Sequence, residues 1–226
     1  PGVFVPLAER TGLIHSLGAL LLRKVLGGMR ELLDSGIDPG VVAVNVSPIQ
    51  LQSPSFFDEV RMLMAEHALD ADRLEIEITE TALMGPSIDV VSANVQRLHD
   101  MGITIALDDF GTGYSSLTLL KQFPVDILKI DRSFVGSLNT SPEDRKIIRA
   151  IIGLGRSLNM RLVGEGVEDE VTAGELHLYG CTYGQGYHYA KPMPFSAVAG
   201  YIDDTTVCAP TLMPSGGRSV ASSTRA

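Results

Sequence analysis

Short apolar runs alternate with longer stretches of helical periodicity through most of this chain, and that alternation limits its possible folds more than any other feature. VVAVNV (41–46), LEIEI (74–78), ITIAL (103–107), VDILKI (125–130), RLVG (161–164) and CTYGQGY (181–187) have the length and composition of buried strands. Amphipathic patterns occupy 14–34, 55–68, 87–101, 114–122, 142–158 and 168–179, with a shorter one at 195–202. Ser141-Pro142-Glu143-Asp144 reads as a helix start, with proline in the first turn and acids at the positive end of the dipole. Strand and helix in alternation predict a parallel α/β protein.

The polar residues choose between an open sheet and a barrel. Asn45 lies near the end of the first strand and Glu77 near the end of the second. Asp108 and Asp109 stand just past the third, Lys129 and Asp131 close the fourth, Glu165 follows the fifth, and Gln185 lies within the sixth. Consecutive strands therefore deliver polar groups to the same edge. In an open doubly wound sheet such groups gather at one switch point. In a TIM-type barrel every strand end converges on one mouth. The expectation is an α/β, TIM-like (β/α)8 barrel whose first two strands are missing from this chain.

The segment DDFGTGYSS (108–116) carries the chemistry. Two adjacent carboxylates repel each other, and they stay ionised together when a cation, most simply a divalent metal, lies between them. The Gly-Thr-Gly that follows lets backbone approach a ligand closely. Each residue also has a plainer reading. A strand-end carboxylate can cap a helix, Lys129 and Asp131 can form a surface ion pair, Glu165 can cap the helix after 168, and Asn45 can sit in a turn. The five histidines show no ligand spacing.

Composition narrows the partners. The chain has 226 residues, 45% hydrophobic and 20% charged, enough for one sizeable core. A net charge of −9 argues against long nucleic acid and suits a small anionic ligand only if metal ions supply positive charge locally. Cys181 and Cys208 form no CxxC pattern, which fits a reducing cytoplasm. No apolar run reaches the length of a membrane span. PGVFVPLAER is neither a signal peptide nor a Met-initiated start, so a piece of a longer protein is expected, and such a parent could still be membrane-anchored through upstream regions. Residues 203–226, rich in Ser, Pro and Gly, are expected to be a disordered tail.

Several segments carry a resemblance. FVPLAERTGLI (4–14), NVSPIQLQSPSF (45–56), EIEITE (75–80), LHDMGITIALDDFGTGYSSL (98–117), FPVDILKIDRSFV (123–135), GEGVED (164–169) and GCTYGQGYHYAKPMP (180–194) resemble, in order and spacing, the EAL domain family of cyclic di-GMP phosphodiesterases. The match covers residues 1 to about 202. The Glu-Ala-Leu motif that names the family is absent and is expected upstream of Phe4, together with the two missing strands.

The resemblance implies hydrolysis of cyclic di-GMP to linear pGpG with two Mg²⁺ or Mn²⁺ ions. It implies that Asn45, Glu77 and Asp108 hold one metal together with the Glu of the absent motif, and that Asp108 bridges to a second held with Asp109. It places Lys129 and Asp131 beside the attacking water, Glu165 and Gln185 near the metal–water centre, and Glu80 as the anchor of the GTGYSS loop. Ser47 and Gln50 are weaker candidates for ligand contact. It further implies a homodimer and an upstream sensor or diguanylate cyclase-like domain. The rival reading is an inactive cyclic di-GMP receptor or interaction scaffold. An enolase-type barrel fits the carboxylates but not the linked motifs. Without the upstream strands the chain alone is expected to be poorly active and aggregation-prone.

Overall fold

The computed structural model describes residues 2–111 and 117–208. Most of the GTGYSS loop and the expected tail from 209 onward lie outside the described residues. The chain divides into two compact units, Pro1–Pro192 and Met193–Ala226.

The first unit is built on six parallel strands: β1 (Val42–Asn45), β2 (Leu74–Thr79), β3 (Thr104–Phe110), β4 (Ile127–Ile130), β5 (Arg161–Glu165) and β6 (Tyr183–Gln185). Their order in the sheet is their order in the chain. A doubly wound sheet would reverse direction at a switch point. Here each crossover steps one place onward, so right-handed connections lay the helices on one face and leave the other concave. The result is a half-barrel, a TIM-like barrel of six strands.

Period-two alternation sorts the side chains. Leu74, Ile76 and Ile78 of β2, Ile105 and Leu107 of β3, Leu128 and Ile130 of β4, and Leu162 of β5 join the main core on the helix side. The concave face has a small cluster of its own, Ala106, Ile127 and Val163, from three adjacent strands.

The helices are α1 (Phe4–Thr11), α2 (Ile14–Asp34), α3 (Pro48–Leu51), α4 (Phe56–Glu66), α5 (Ile88–Asp100), α6 (Leu117–Gln122), α7 (Arg132–Val135), α8 (Pro142–Ser157) and α9 (Glu170–Tyr179). In α2 the buried Leu22, Leu26, Met29 and Leu32 recur at three- and four-residue spacing, which aligns them on the core side. Helix α8 starts as the sequence predicts: Ser141 Oγ accepts from the Asp144 amide, and Pro142 takes the first turn. It then turns Ile148, Ile152 and Gly155 inward, and a Cβ at Gly155 would strike Leu162 of β5.

Two differences from the expected boundaries bear on the site and on the tail. Strand β3 does not stop at Leu107 but runs through both aspartates to Phe110. In the second unit, α10 spans Phe195–Cys208, so the expected tail does not begin at 203. The reason is local: Tyr201–Cys208 contains neither glycine nor proline, so nothing breaks the helix there.

Candidate metal and phosphodiester site

The site forms where the inner face of the sheet reaches the C-terminal ends of β2 to β5. On β2, alternation turns Glu77 to the same side as Glu75 and Thr79, opposite the buried isoleucines. On β4 the same rule turns Lys129 inward between Leu128 and Ile130, and on β5 it turns Glu165 inward beyond Val163. Lys129 and Glu77 are 52 positions apart in the chain, yet β3 alone separates their strands.

Simple alternation would send Asp108 and Asp109 to opposite faces. A bulge prevents this. Leu107 pairs with Leu128 and Phe110 with Ile130, so β3 spends one more residue than β4 over the same length. Asp109 takes up the excess with φ of +54°, in the left-handed region that aspartate tolerates better than most residues. Asp108 is buried and Asp109 exposed. One oxygen each from Asp108, Asp109 and Glu165 lie within 4.8 Å of one another, a spacing suited to a shared cation. The Asp109 amide donates to Asp108 Oδ1 at 2.9 Å, which fixes the bend between them.

Lys129 is the hub. Its side chain is 2% exposed, and Nζ lies 2.5 Å from Glu77 Oε1, 2.7 Å from Glu165 Oε1 and 3.4 Å from Asp108 Oδ1. Burial alone pulls an ammonium's pKa down, but Glu77 and Glu165 outweigh it and leave Lys129 above its ordinary value. Burial raises the Glu165 carboxyl, and the Lys129 hydrogen bond only partly opposes that. Asp109 is likewise raised, first by burial and then by the charges of Asp108 and Asp131. Asp131 goes the other way. Burial pushes it up, but hydrogen bonds from the Ser133 hydroxyl and amide hold it below the usual range. Glu77, Asp108 and Glu165 thus crowd around one buried ammonium, with Asp109 close to Asp108 and Glu165, and Asp131 close to Asp109. That excess of negative charge, offered entirely as oxygen donors, fits a hard divalent cation.

The remaining expected residues fall into three groups. Asn45 and Gln185 stand on the outermost strands, Asn45 paired in register with Glu77 and Gln185 with Glu165, and both are exposed. Glu80, buried at the start of the turn after β2, accepts from the Gly111 amide at 3.0 Å and so anchors the entry to the GTGYSS loop. Ser47 and Gln50 cap α3 reciprocally. The plainer readings of Lys129 and Glu165 fail, because Lys129 is buried and the helix after 168 is capped by Asp169. Asp131 does cap α7. Glu9, outside every motif of the sequence that points to chemistry, accepts from Ser47 Oγ at 2.7 Å. Nothing in the periodicity of α1 marks it.

The family model for the EAL domain matches residues 1–192. The chain belongs to the EAL domain family. It is 42% identical over 194 residues to the bifunctional diguanylate cyclase/cyclic di-GMP phosphodiesterase MucR of Pseudomonas aeruginosa, covering 86% of this chain and 28% of MucR. Among solved structures, the MucR phosphodiesterase in complex with c-di-GMP superposes with a TM-score of 0.82 at 41% identity, covering 88% of this chain and 80% of that one. The EAL domain of Mycobacterium smegmatis DcpA gives a TM-score of 0.78 at 38% identity, covering 84% and 86%. The present chain thus spans less than a third of its curated relative MucR and most of the solved EAL domains.

Proposed function

We propose that this EAL domain hydrolyses cyclic di-GMP to linear pGpG with Mg²⁺ or Mn²⁺ ions. The observation that carries the reading is the cluster of Glu77, Asp108, Asp109 and Glu165 around Lys129, on a chain 41% identical to a phosphodiesterase solved with c-di-GMP. Asn45, Glu77 and Asp108 would hold one ion, and Asp108 with Asp109 a second. Bound there, divalent ions neutralise phosphate charge and make water a better nucleophile.

The chain's own groups do the rest. The Lys129 ammonium holds the Glu77, Asp108 and Glu165 carboxylates at one point and offers positive charge to the phosphodiester's anionic oxygens. Glu165, its proton affinity raised by burial, takes the proton of the attacking water on a carboxylate oxygen. Asp131, kept ionised by Ser133, orients that water from the other side. The water oxygen bonds to phosphorus, the bond to the ribose 3′-oxygen breaks, and solvent protonates the leaving oxygen. Gln185 lies at the level of Glu165 to complete the shell around the water.

No described helix is long and apolar enough to cross a membrane. We place the domain in the cytoplasm, as a homodimer within a longer protein bearing an upstream sensor or cyclase-like domain.

The test is Mn²⁺-dependent turnover of cyclic di-GMP, followed by chromatography for pGpG, on this chain and on a form extended upstream. Hydrolysis that disappears in Glu165→Gln supports the reading. A folded extended form that binds cyclic di-GMP without producing pGpG overturns it in favour of a receptor.

A further inference from the structure

Asn45 ends a strand of only four residues whose hydrogen-bonded neighbour among the described strands is β2 alone. A strand so short places its last residue next to the segment that follows, so how that segment is held bears on where Asn45 sits. That chain is held from several sides. Ser47 Oγ accepts from the Ile49 amide at 3.2 Å, and Gln50 Oε1 accepts from the Ser47 amide at 3.3 Å. Ser47 Oγ also donates to Glu9 Oε1 of α1 at 2.7 Å. The Gln50 amide rests on α2 at Gly18, where a Cβ would collide with it. Beyond α3, the buried Asn94 of α5 donates through Nδ2 to the carbonyls of Leu51 and Ser53, both at 2.8 Å. Helices α1 and α2 from one side of the sequence and α5 from the other therefore grip one segment that begins two residues after Asn45.

We propose that Glu9, Ser47, Gln50 and Asn94 form a clamp that positions Asn45 for divalent-ion binding, which makes helix α1 a determinant of ion affinity at a site it does not line. The clamp rests on reading the site as a divalent-cation centre. Ser47 and Gln50 act in it as positioning residues, with their polar atoms engaged in capping and in the contact to Glu9. The hydroxyl of Ser47 connects two structures: it caps α3 through its lone pairs and ties α3 to α1 through its proton.

Mn²⁺ binding to the chain, measured from the loss of the free-ion paramagnetic resonance signal, is the test, with thermal unfolding followed in parallel. Glu9→Ala weakens Mn²⁺ binding about tenfold, the scale typical of residues that orient a ligand. Glu9→Gln, whose amide oxygen can still accept from Ser47, restores it. Asn45→Ala weakens binding to a similar extent, and adding Glu9→Ala to that variant changes nothing further. If Glu9→Ala fails to fold, Gly18→Ala gives the same answer. It favours the helix intrinsically but displaces Gln50, so Mn²⁺ binding falls while helical signal is kept. Unchanged Mn²⁺ affinity in folded Glu9→Ala or Gly18→Ala, with Asn45→Ala impaired, overturns the clamp and leaves the metal site standing. No Mn²⁺ binding by a folded form extended upstream through the missing strands overturns the site itself.

Discussion

The two faces of this sheet use burial in opposite ways. On the helix side, Ile105, Leu128 and Leu162 are fully buried, and the titratable group in that core, Cys181, is kept neutral. Burial pushes its thiol up to about 11, and its Sγ donates to the carbonyls of Leu162 and Tyr183. On the concave side, Lys129 is just as buried, yet its charge is held because Glu77, Glu165 and Asp108 surround it. One face is stabilised by removing apolar surface from water. The other spends stability on a crowd of carboxylates that a single ammonium balances only in part. The same strands build both, and the difference lies in which parity of residue each face receives.

The comparison is tested most severely at Lys129. Lys129→Met keeps the volume and removes the charge, leaving the carboxylates unbalanced. Without divalent ions it should lower unfolding stability by about 3–5 kcal/mol. Added Mn²⁺ should recover part of that loss, because an ion bound to the native carboxylates replaces the missing charge. Urea denaturation with and without Mn²⁺ measures both quantities, and a loss within error of zero would mean the inner face does not depend on its ammonium.

The matching change on the other face is Ile105→Ala. A fully buried isoleucine cut to alanine should cost about 2–5 kcal/mol. Its cost should be the same with or without Mn²⁺, and a strong metal dependence there would erase the distinction between the faces.

A smaller effect comes from the rim. Ser133→Ala removes the hydroxyl that helps hold Asp131 below the usual range. A lowered carboxyl stabilises the native state above its unfolded pKa, and that contribution is lost as pH falls through the folded value. The variant should therefore be less stable by about 0.5–1 kcal/mol at pH 7 and should converge with the unaltered chain in acid. Parallel denaturation curves along a pH series check the sign, since a difference that grows in acid would contradict it.

The smallest expected signal is at Cys181. With Cys208→Ser to leave a single thiol, a thiol-reactive dye at pH 8 should label the native chain far more slowly than the unfolded one, because a raised thiol is almost wholly protonated there. Rapid native labelling would show that the helix-side core opens easily.

Much of this was legible in the chain, and particular residues show where legibility stopped. The span 14–34 reads as a helix and is one, Ile14–Asp34, because its apolar stripe is continuous. Helices α1 and α7 went unread because one is short and broadly exposed and the other is a single turn. The apolar pattern puts Asp108 and Asp109 beyond their strand, because no local pattern announces a bulge. The spacing of Ser47 and Gln50, candidates for ligand contact, is also that of a capping box.

What the sequence determined by itself is everything with a short period: strand against helix, inward against outward parity, and the delivery of polar residues to one end of consecutive strands. What only the tertiary structure decided is which of those residues meet. Lys129 finds Glu77 and Glu165 through the lateral register of β2 to β5, Asp109 joins Asp108 through a bulge set by pairing with β4, and Glu9 reaches Ser47 because α1 and α3 both pack on α2. Periodicity is a property of neighbours along the chain, whereas register and helix packing are settled by the burial of distant apolar surfaces against one another.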